Sequence, residues 1–178
     1  MARPRLTGVL LVGGASTRFG SPKALARLDG ETLAARAWRT LGEACEERLA
    51  VGKRADGLEL PFDLLDDDSA TRAALAGIVA GLRAAPTEIA VVLPVDSPLV
   101  TPDFLRELGA ACADAAAPRA EPLPAAFHRR AVPVLERRLR DRRLALHEAL
   151  DELDTRRIEV DAKLLANVNT PDELRRLG

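Results

Sequence analysis

A glycine-rich loop after the first apolar stretch of the chain carries side chains that are suited to binding an anion. The run 9–12 is apolar, Gly13 and Gly14 follow it, and Arg18 and Lys23 come shortly afterwards. Glycine has no Cβ, so a loop of this kind lets the backbone come close to a ligand. Its exposed N–H groups form a concavity for anionic oxygens. The loop therefore predicts an anion site, with Arg18 and Lys23 to neutralise negative charge.

Lys23 is unusual in a chain that almost always uses arginine as its basic residue. Of the 26 basic residues only Lys23, Lys53 and Lys163 are lysines. An ammonium is a compact charge that suits a single phosphate oxygen or a base carbonyl. The loop is not a P-loop, because Ala24 rather than serine or threonine follows the lysine, and Pro22 interrupts any GxGxxG pattern running into a helix. A plain strand-to-helix turn is the alternative interpretation.

Asp96 directly follows the continuous apolar run 89–95. A carboxylate at that depth is costly unless it is paired, solvated or bound to a cation. Mg²⁺ uses one or two carboxylates together with phosphate oxygens of a substrate. Asp96 is therefore predicted to be a metal ligand, and a turn-forming aspartate before Ser-Pro is the alternative.

The only asparagines of the chain, Asn167 and Asn169, stand two residues apart. At strand-like spacing their amides face the same side, where they could bind ligand hydroxyls or complete a metal shell. Ordinary loop capping explains Asn167 equally well.

Three consecutive aspartates, 66–68, end another strand-like segment. One of them could accept hydrogen bonds from the N–H groups of a purine base, and their spacing does not choose which. A solvated turn is the alternative.

Composition limits the classes of protein that are possible. A chain of 178 residues is most simply one domain, residues 1–178. A net charge of −1 and 3% aromatic residues argue against a nucleic-acid partner. No stretch reads as a signal peptide or membrane span, and Cys45 and Cys112 are isolated, so we expect a cytoplasmic protein. The arginine-rich segment 137–143 reads as a solvated helix end, which could face a phosphorylated acceptor, and segment 115–118 reads as a surface excursion.

Strand and helix patterns alternate along the chain, which predicts a mostly parallel sheet with helices on both faces. Ligands of such sheets bind outside the carboxyl ends of the strands, where the glycine loop, the aspartates 66–68 and Asp96 fall. The patterns predict strands at 6–12, 48–51, 62–65 and 89–95, helices at 32–46 and 70–84, and further helices capped by Thr101 and by the capping box of Thr170 and Glu173.

Several segments together resemble the molybdenum cofactor guanylyltransferases, nucleotidyltransferases of molybdenum cofactor biosynthesis. They are LVGGASTRFGSPKAL at 11–25, DSP at 96–98, PLPAAF at 122–127 and NVNTPDEL at 167–174. The resemblance covers the whole chain in the family's order. It implies the three-layer α/β/α, Rossmann-like fold of the nucleotide-diphospho-sugar transferases.

The resemblance also implies a reaction, in which GMP passes from GTP to molybdopterin and pyrophosphate leaves. A molybdoenzyme is the implied delivery partner. Asp96 would hold Mg²⁺, Arg18 would hold the triphosphate, and Lys23 would neutralise charge and contact the nucleotide. The implied nucleotide-binding residues are Leu11, Val12, Gly13, Gly14, Lys23, Asp66 and Asp96, and the implied acceptor-binding residues are Asn167 and Asn169.

This chain departs from the family's pattern around the nucleotide. Val12 replaces an alanine, Pro22 replaces an aspartate, 73–74 read Ala-Ala instead of Gly-Pro, and 51–54 lack an asparagine. A sister enzyme using CTP on molybdopterin, one using a nucleotide on a sugar phosphate, and a non-catalytic nucleotide-binding relative therefore remain alternatives.

Overall fold

A computed structural model describes residues 4–13 and 22–177, and its centre is a seven-stranded sheet. The described strands are β1 (Leu6–Leu11), β2 (Arg27–Leu28), β3 (Glu31–Thr32), β4 (Glu47–Gly52), β5 (Leu64–Asp66), β6 (Ile89–Pro94), β7 (Ala115–Pro118), β8 (Ala125–His128) and β9 (Thr155–Ile158). The described helices are α1 (Leu33–Ala44), α2 (Ala74–Ala84), α3 (Pro102–Ala111), α4 (Val132–Arg140), α5 (Leu146–Glu152) and α6 (Pro171–Arg175).

The order of the strands in the sheet is β5-β4-β1-β6-β8-β7-β9. β5, β4, β1 and β6 are parallel, and β8 runs antiparallel to both of its neighbours. β7 and β9 pair in parallel, which completes the mostly parallel sheet that the alternating pattern predicts. β2 and β3 form a separate hairpin.

Two apolar cores lie on the two faces of the sheet and give the molecule three layers. α1 and α3 cover one face, with Leu41 and Leu105 fully buried there. α2, α4 and α5 cover the other face, with Ile78 and Leu135 fully buried. Strands covered on both faces are continuously apolar, as the sequence of β6 is. The predicted three-layer α/β/α fold is confirmed.

Most predicted elements are present, with shifts at their ends. The helix predicted at 70–84 begins only at Ala74. The preceding turn is held by bonds of side chains to the backbone, since Asp67 Oδ1 accepts from Ser69 N at 3.0 Å and Ser69 Oγ accepts from Thr71 N at 3.1 Å. These local bonds compete with the helix. The strand predicted at 62–65 is present as β5 but begins two residues later, at Leu64. Phe62 lies outside it because its ring stacks on Trp38 of α1.

The interpretation of 115–118 as a surface excursion is wrong. This segment is β7, which lies between β8 and β9 and is buried along its whole length. Its alanines alternate between the two faces, with Ala116 in one core and Ala115 and Ala117 in the other. Small side chains fit where helices press on both faces of a strand. A short alanine run has no polar alternation, so its pattern resembles that of a loop.

The chain changes direction across the sheet next to β1. It leaves β1 for β4 on one side and returns to β6 on the other side. The crevice at such a switch point, outside the carboxyl ends of the strands, is where open α/β sheets bind ligands. Within the described ranges, no helix is long and apolar enough to cross a membrane.

Candidate active site

Three predicted site residues from distant parts of the chain meet beyond the end of β6. Lys23 Nζ donates to Asp96 Oδ2 at 3.1 Å and to Asn169 Oδ1 at 3.2 Å. The side chains of Lys23 and Asp96 keep 17% and 27% of their exposure, so the cluster is accessible from solvent. The ammonium of Lys23 bonds to two oxygen acceptors and is reached by solvent. It can therefore replace one of these acceptors with an oxygen of a ligand.

The segment 167–169 is tied directly to the end of β6. Val168 N donates to the backbone oxygen of Asp96 at 2.8 Å, and the side chain of Val168 is fully buried. Asn167 Oδ1 accepts from Ser97 Oγ at 2.9 Å. Of the two asparagines that flank Val168, Asn167 therefore contacts the residue after Asp96, and Asn169 contacts Lys23.

A helix cap fixes the position of Asn169. The predicted capping box is present, with Glu173 N donating to Thr170 Oγ1 at 3.2 Å and Thr170 N donating to Glu173 Oε2 at 3.1 Å. The same Glu173 oxygen accepts from Asn169 N at 2.6 Å. The asparagine is thus held by its backbone while its amide stays directed at Lys23.

The donor atoms in this cluster fit a hard cation that a substrate helps to hold. Asp96 offers a carboxylate and Asn169 an amide oxygen, and a cationic group, the Lys23 ammonium, already lies between them. Mg²⁺ prefers oxygen ligands and is usually held by one or two carboxylates plus substrate phosphates. Within residues 4–13 and 22–177, no group of three or more His, Cys, Asp or Glu side chains could hold a metal ion by itself.

The end of β1 contributes mainly backbone. Leu11 and Gly13 line a cavity beside the strand end, whereas the side chain of Val12 packs into the core on the other face. Val12 N donates to Val51 O at 3.0 Å, which continues the pairing with β4. The predicted residues Gly14 and Arg18 lie outside the described residues.

Asp66 holds a turn together. Its carboxylate accepts from Arg54 N at 2.7 Å and from Asp68 N at 2.9 Å. The bond from Asp68 N and then that from Arg54 N hold the pKa of Asp66 below its usual value. The aspartate that lines the cavity beside β1 is the next one, Asp67.

That cavity has a volume of about 270 Å³ and lies between the ends of β1 and β4 and the first turn of α2. Gly77 allows α2 to approach closely, because a Cβ there would come within 2.9 Å of Leu11 Cδ2. Sequence reasoning did not assign Lys53 to a site, yet Lys53 and Asp67 both line the cavity. The signal that could have found Lys53 is its rarity, since it is one of three lysines.

A larger cavity of about 520 Å³ lies at the opposite end of the sheet, where Leu6 begins β1. Ligands of open α/β sheets bind at the carboxyl ends of the strands. The smaller cavity is therefore the better candidate for a ligand site.

The arginine-rich segment 137–143 contributes to the packing of two helices. Its interpretation as a solvated helix end is wrong at Arg138. The side chain of Arg138 is fully buried and bonds to Glu148 Oε2 at 2.7 Å and to Glu152. Arg137 and Arg143 also pair with Glu152, each at 2.9 Å. These five residues, which we term the arginine clasp, join α4 to α5.

The cysteines have no activated thiol. Burial raises the pKa of Cys45 to about 12 and that of Cys112 to about 11. The thiolate is the nucleophilic form, so both side chains are inert at neutral pH.

Comparison with known proteins agrees with this geometry. A mostly parallel sheet with a lysine, a carboxylate and amides at its strand ends beside a small cavity is consistent with a nucleotidyltransferase, and the family match shows that class. The chain belongs to the family of the MobA-like NTP transferase domain, whose model matches residues 8–156.

Individual relatives are similar over nearly the whole chain. The chain is 33% identical to a probable molybdenum cofactor guanylyltransferase of Chloroflexus aggregans, over 96% of this chain and 92% of the relative. It is 32% identical to a molybdenum cofactor guanylyltransferase of Desulfosudis oleivorans, over 95% and 92%. The crystal structure of molybdopterin-guanine dinucleotide biosynthesis protein A from Archaeoglobus fulgidus superposes with a TM-score of 0.82 at 28% identity, covering 96% of this chain and 95% of that one.

Proposed function

We propose that the protein transfers GMP from GTP to molybdopterin, forming molybdopterin guanine dinucleotide and releasing pyrophosphate. The observation that carries the proposal is the convergence of Lys23, Asp96 and Asn169 beyond β6. The names of the relatives supply the nucleotide and the acceptor. Because GTP is a cytoplasmic nucleotide, the proposal includes a cytoplasmic location for the enzyme.

The reaction needs no covalent intermediate on the protein. An oxygen of the terminal phosphate of molybdopterin attacks the α-phosphorus of GTP and forms the new P–O bond. The bond from the α-phosphorus to the α–β bridging oxygen breaks, and pyrophosphate leaves with the electron pair. Such transfers depend on positioning and on neutralising charge rather than on a protein nucleophile. The inert cysteines are consistent with this chemistry.

Each residue of the cluster has a role that its contacts allow. Lys23 exchanges the oxygen of Asn169 or Asp96 for a phosphate oxygen and stabilises the charge that develops on it. Asn169, held by the helix cap, then offers its amide to the acceptor, and Asn167 supports the same loop from Ser97. In this proposal Arg18 and the N–H groups of the glycine loop hold the triphosphate.

Asp96 is the residue that would hold Mg²⁺, together with oxygens of the substrate. When bound, the ion would neutralise the charge on the phosphates that it contacts. The contribution of the chain is to keep Asp96 fixed, through the bond that its backbone oxygen accepts from Val168.

The test is pyrophosphate release by the purified protein with Mg²⁺, molybdopterin and one nucleotide at a time. We expect release with GTP that depends on molybdopterin, and a dinucleotide product of the corresponding mass. Release with CTP alone would move the protein to a cytidylyl-transferring enzyme. Release with a sugar phosphate as acceptor would replace molybdopterin, and no release with any pair would indicate a nucleotide-binding protein without catalysis.

A further inference from the structure

The residue after Asp96 carries a buried hydroxyl group that the proposed reaction has not used. Ser97 keeps only 2% of its exposure, and a buried hydroxyl is costly unless it is hydrogen-bonded. Two backbone turns fix its place, since Ser97 N donates to Pro94 O at 3.2 Å and Val100 N donates to Ser97 O at 3.4 Å. The hydroxyl is therefore held just beyond the carboxyl end of β6.

The partner of this hydroxyl is the side-chain amide of Asn167. Ser97 Oγ donates to Asn167 Oδ1 at 2.9 Å, and the two residues are 70 positions apart in the chain. Neither side chain makes another hydrogen bond to residues 4–13 or 22–177. Ser97 is buried whereas Asn167 is exposed, so the bond holds a solvent-facing amide from the interior.

The planar shape of the amide decides which atoms of Asn167 a ligand would meet. Oδ1 and Nδ2 lie on opposite sides of the amide carbon, so Nδ2 is turned away when Oδ1 faces Ser97. Nδ2 carries two N–H donors. The backbone beside it is also fixed, because Val168 N donates to Asp96 O at 2.8 Å. Asn167 therefore presents a fixed pair of donors at the edge of the cluster that contains Asp96.

A pair of N–H donors in this position suits an anionic oxygen. Hydrogen bonds from an N–H group to an ionised acceptor are stronger than those between neutral groups. A metal ion would instead need the amide oxygen, which already accepts the bond from Ser97. The amide of Asn167 is therefore suited to a phosphate oxygen of a substrate rather than to the shell of a metal.

We infer that Ser97 is a positioning residue, which orients the amide of Asn167 so that its N–H groups bind a phosphate oxygen of a substrate. The inference rests on the proposed function and deepens its account of substrate binding. The terminal phosphate of molybdopterin is the expected source of this oxygen, because Lys23 and the glycine loop serve the triphosphate in the proposed reaction. The phosphates of GTP are the other source of the same chemistry.

The composition of the chain allows the orientation of this amide to be measured directly. Asn167 and Asn169 are the only asparagines, and the chain contains no glutamine. The side-chain amide region of a proton–nitrogen NMR spectrum therefore holds two NH₂ groups, which the variant Asn167→Ala assigns. In the wild type we expect the heteronuclear NOE of both groups to be that of an ordered side chain. In Ser97→Ala the NOE of Asn167 should fall to that of a mobile side chain, while Asn169, which is bonded to Lys23, keeps its value.

The matched control is Thr7→Val, which also removes a buried hydroxyl. Thr7 Oγ1 bonds to Thr87 Oγ1 at 2.7 Å, and Thr7 lies near the start of β1, at the opposite end of the sheet. This variant loses a hydrogen bond of the same kind without touching the cluster. We expect it to leave both NH₂ groups and the kinetics unchanged.

Steady-state kinetics then test whether the orientation serves a substrate. Ser97→Ala and Asn167→Ala should each raise the KM for molybdopterin about fivefold, the effect of one hydrogen bond, with the KM for GTP unchanged. The double variant should be no worse than either single variant, because Ser97 acts through Asn167. Asn167→Asp keeps an acceptor for Ser97 but directs a negative charge at the phosphate, so its KM should rise further. A higher KM for GTP instead would support the inference with the nucleotide as the source of the phosphate.

Failure of the inference and failure of the proposed function are distinguishable. A mobile Asn167 amide in the wild type would overturn the inference even if Ser97→Ala did not fold. Unchanged KM values in the folded variants, or additive effects in the double variant, would overturn it while pyrophosphate release by the wild type upholds the proposed function. If the wild type releases no pyrophosphate from GTP with molybdopterin, the proposed function and the substrate contact both fail, and the NOE decides separately whether Ser97 orients the amide.

Discussion

Two charged regions of this molecule differ in how their charges are used. In the arginine clasp, Arg138 is fully buried and its partners Glu148 and Glu152 lie within 14 positions of it. In the cluster beyond β6, Lys23 joins Asp96 and Asn169 across 73 and 146 positions, and the cluster stays open to solvent. The charges of the clasp pair with one another and join two helices. The charges of the cluster lie where a ligand can reach them.

The difference shows that a high density of charge does not mark a site. The segment 137–143 holds five arginines and one aspartate, yet its buried Arg138 joins two helices. The cluster beyond β6 holds one ammonium and one carboxylate, but it lies at the strand ends where the chain changes direction. Position in the sheet and accessible donors and acceptors are the better indicators.

The largest effect is expected from Asp96→Asn. The substitution keeps the shape but removes the charge that faces Lys23 and would hold Mg²⁺, so turnover should fall on the order of 1,000-fold. Pyrophosphate release measures the turnover, and circular dichroism checks the fold. Asp103→Asn, which alters an exposed aspartate on the next helix, is the control. Full turnover in Asp96→Asn would remove this region from the reaction.

Arg138→Ala should break the clasp instead. Loss of a buried side chain, with two glutamates left unpaired, should lower the free energy of unfolding by about 2–4 kcal/mol. Urea denaturation measures this change, and turnover per folded molecule should equal that of the wild type. A stable variant with reduced turnover would mean that the clasp belongs to the site.

Asn169→Ala sharpens the comparison within the cluster. The amide contacts Lys23 but carries no charge, so we expect a loss of turnover of about tenfold, the effect of one hydrogen bond. Asn167→Ala, which loses a contact to Ser97, is the matched variant and should have a smaller effect. Steady-state kinetics with molybdopterin varied measures both, and equal turnover in Asn169→Ala and the wild type would contradict the role in acceptor binding.

The smallest effect is the response of the clasp to acid. The hydrogen bond from Arg138 holds the pKa of Glu148 below its usual value. The unfolded state therefore binds the proton more readily, so this stabilisation is present above the unfolded pKa of about 4.3 and is lost as pH falls through the folded pKa. Melting temperatures of the wild type and Glu148→Gln should differ above the unfolded pKa of about 4.3 and converge as the pH falls through the lower pKa of the folded state. A difference that is constant with pH would show that ionisation of Glu148 adds nothing.

Local sequence patterns predicted most of the fold because the elements carry their own signals. Thr101 and Thr170 cap helices as expected, and the apolar run before Asp96 is a central strand. The alanine run of β7 was misread because burial between two helical layers requires small residues, which leave no alternating pattern. Helix α2 begins late because bonds from Asp67 and Ser69 hold the turn before it.

The site was only partly predictable for a different physical reason. Lys23, Asp96 and Asn169 are recognisable individually, and the structure brings them together. The spacing of the aspartates does not show which of them lines the cavity. In the structure Asp66 accepts a hydrogen bond from the backbone of Arg54, and Asp67 lines the cavity. Arg138 is buried because α4 packs against α5. A run of arginines in the sequence does not show which of them is buried.

The most direct test of the account is calorimetric binding of GTP and CTP in Mg²⁺ to the wild type and to Lys23→Ala. We predict that the wild type binds GTP more tightly than CTP, and that Lys23→Ala loses most of the affinity for GTP because the phosphates lose their ammonium. Equal affinity of both proteins for GTP would contradict the central claim that the cluster of Lys23, Asp96 and Asn169 is the nucleotide site.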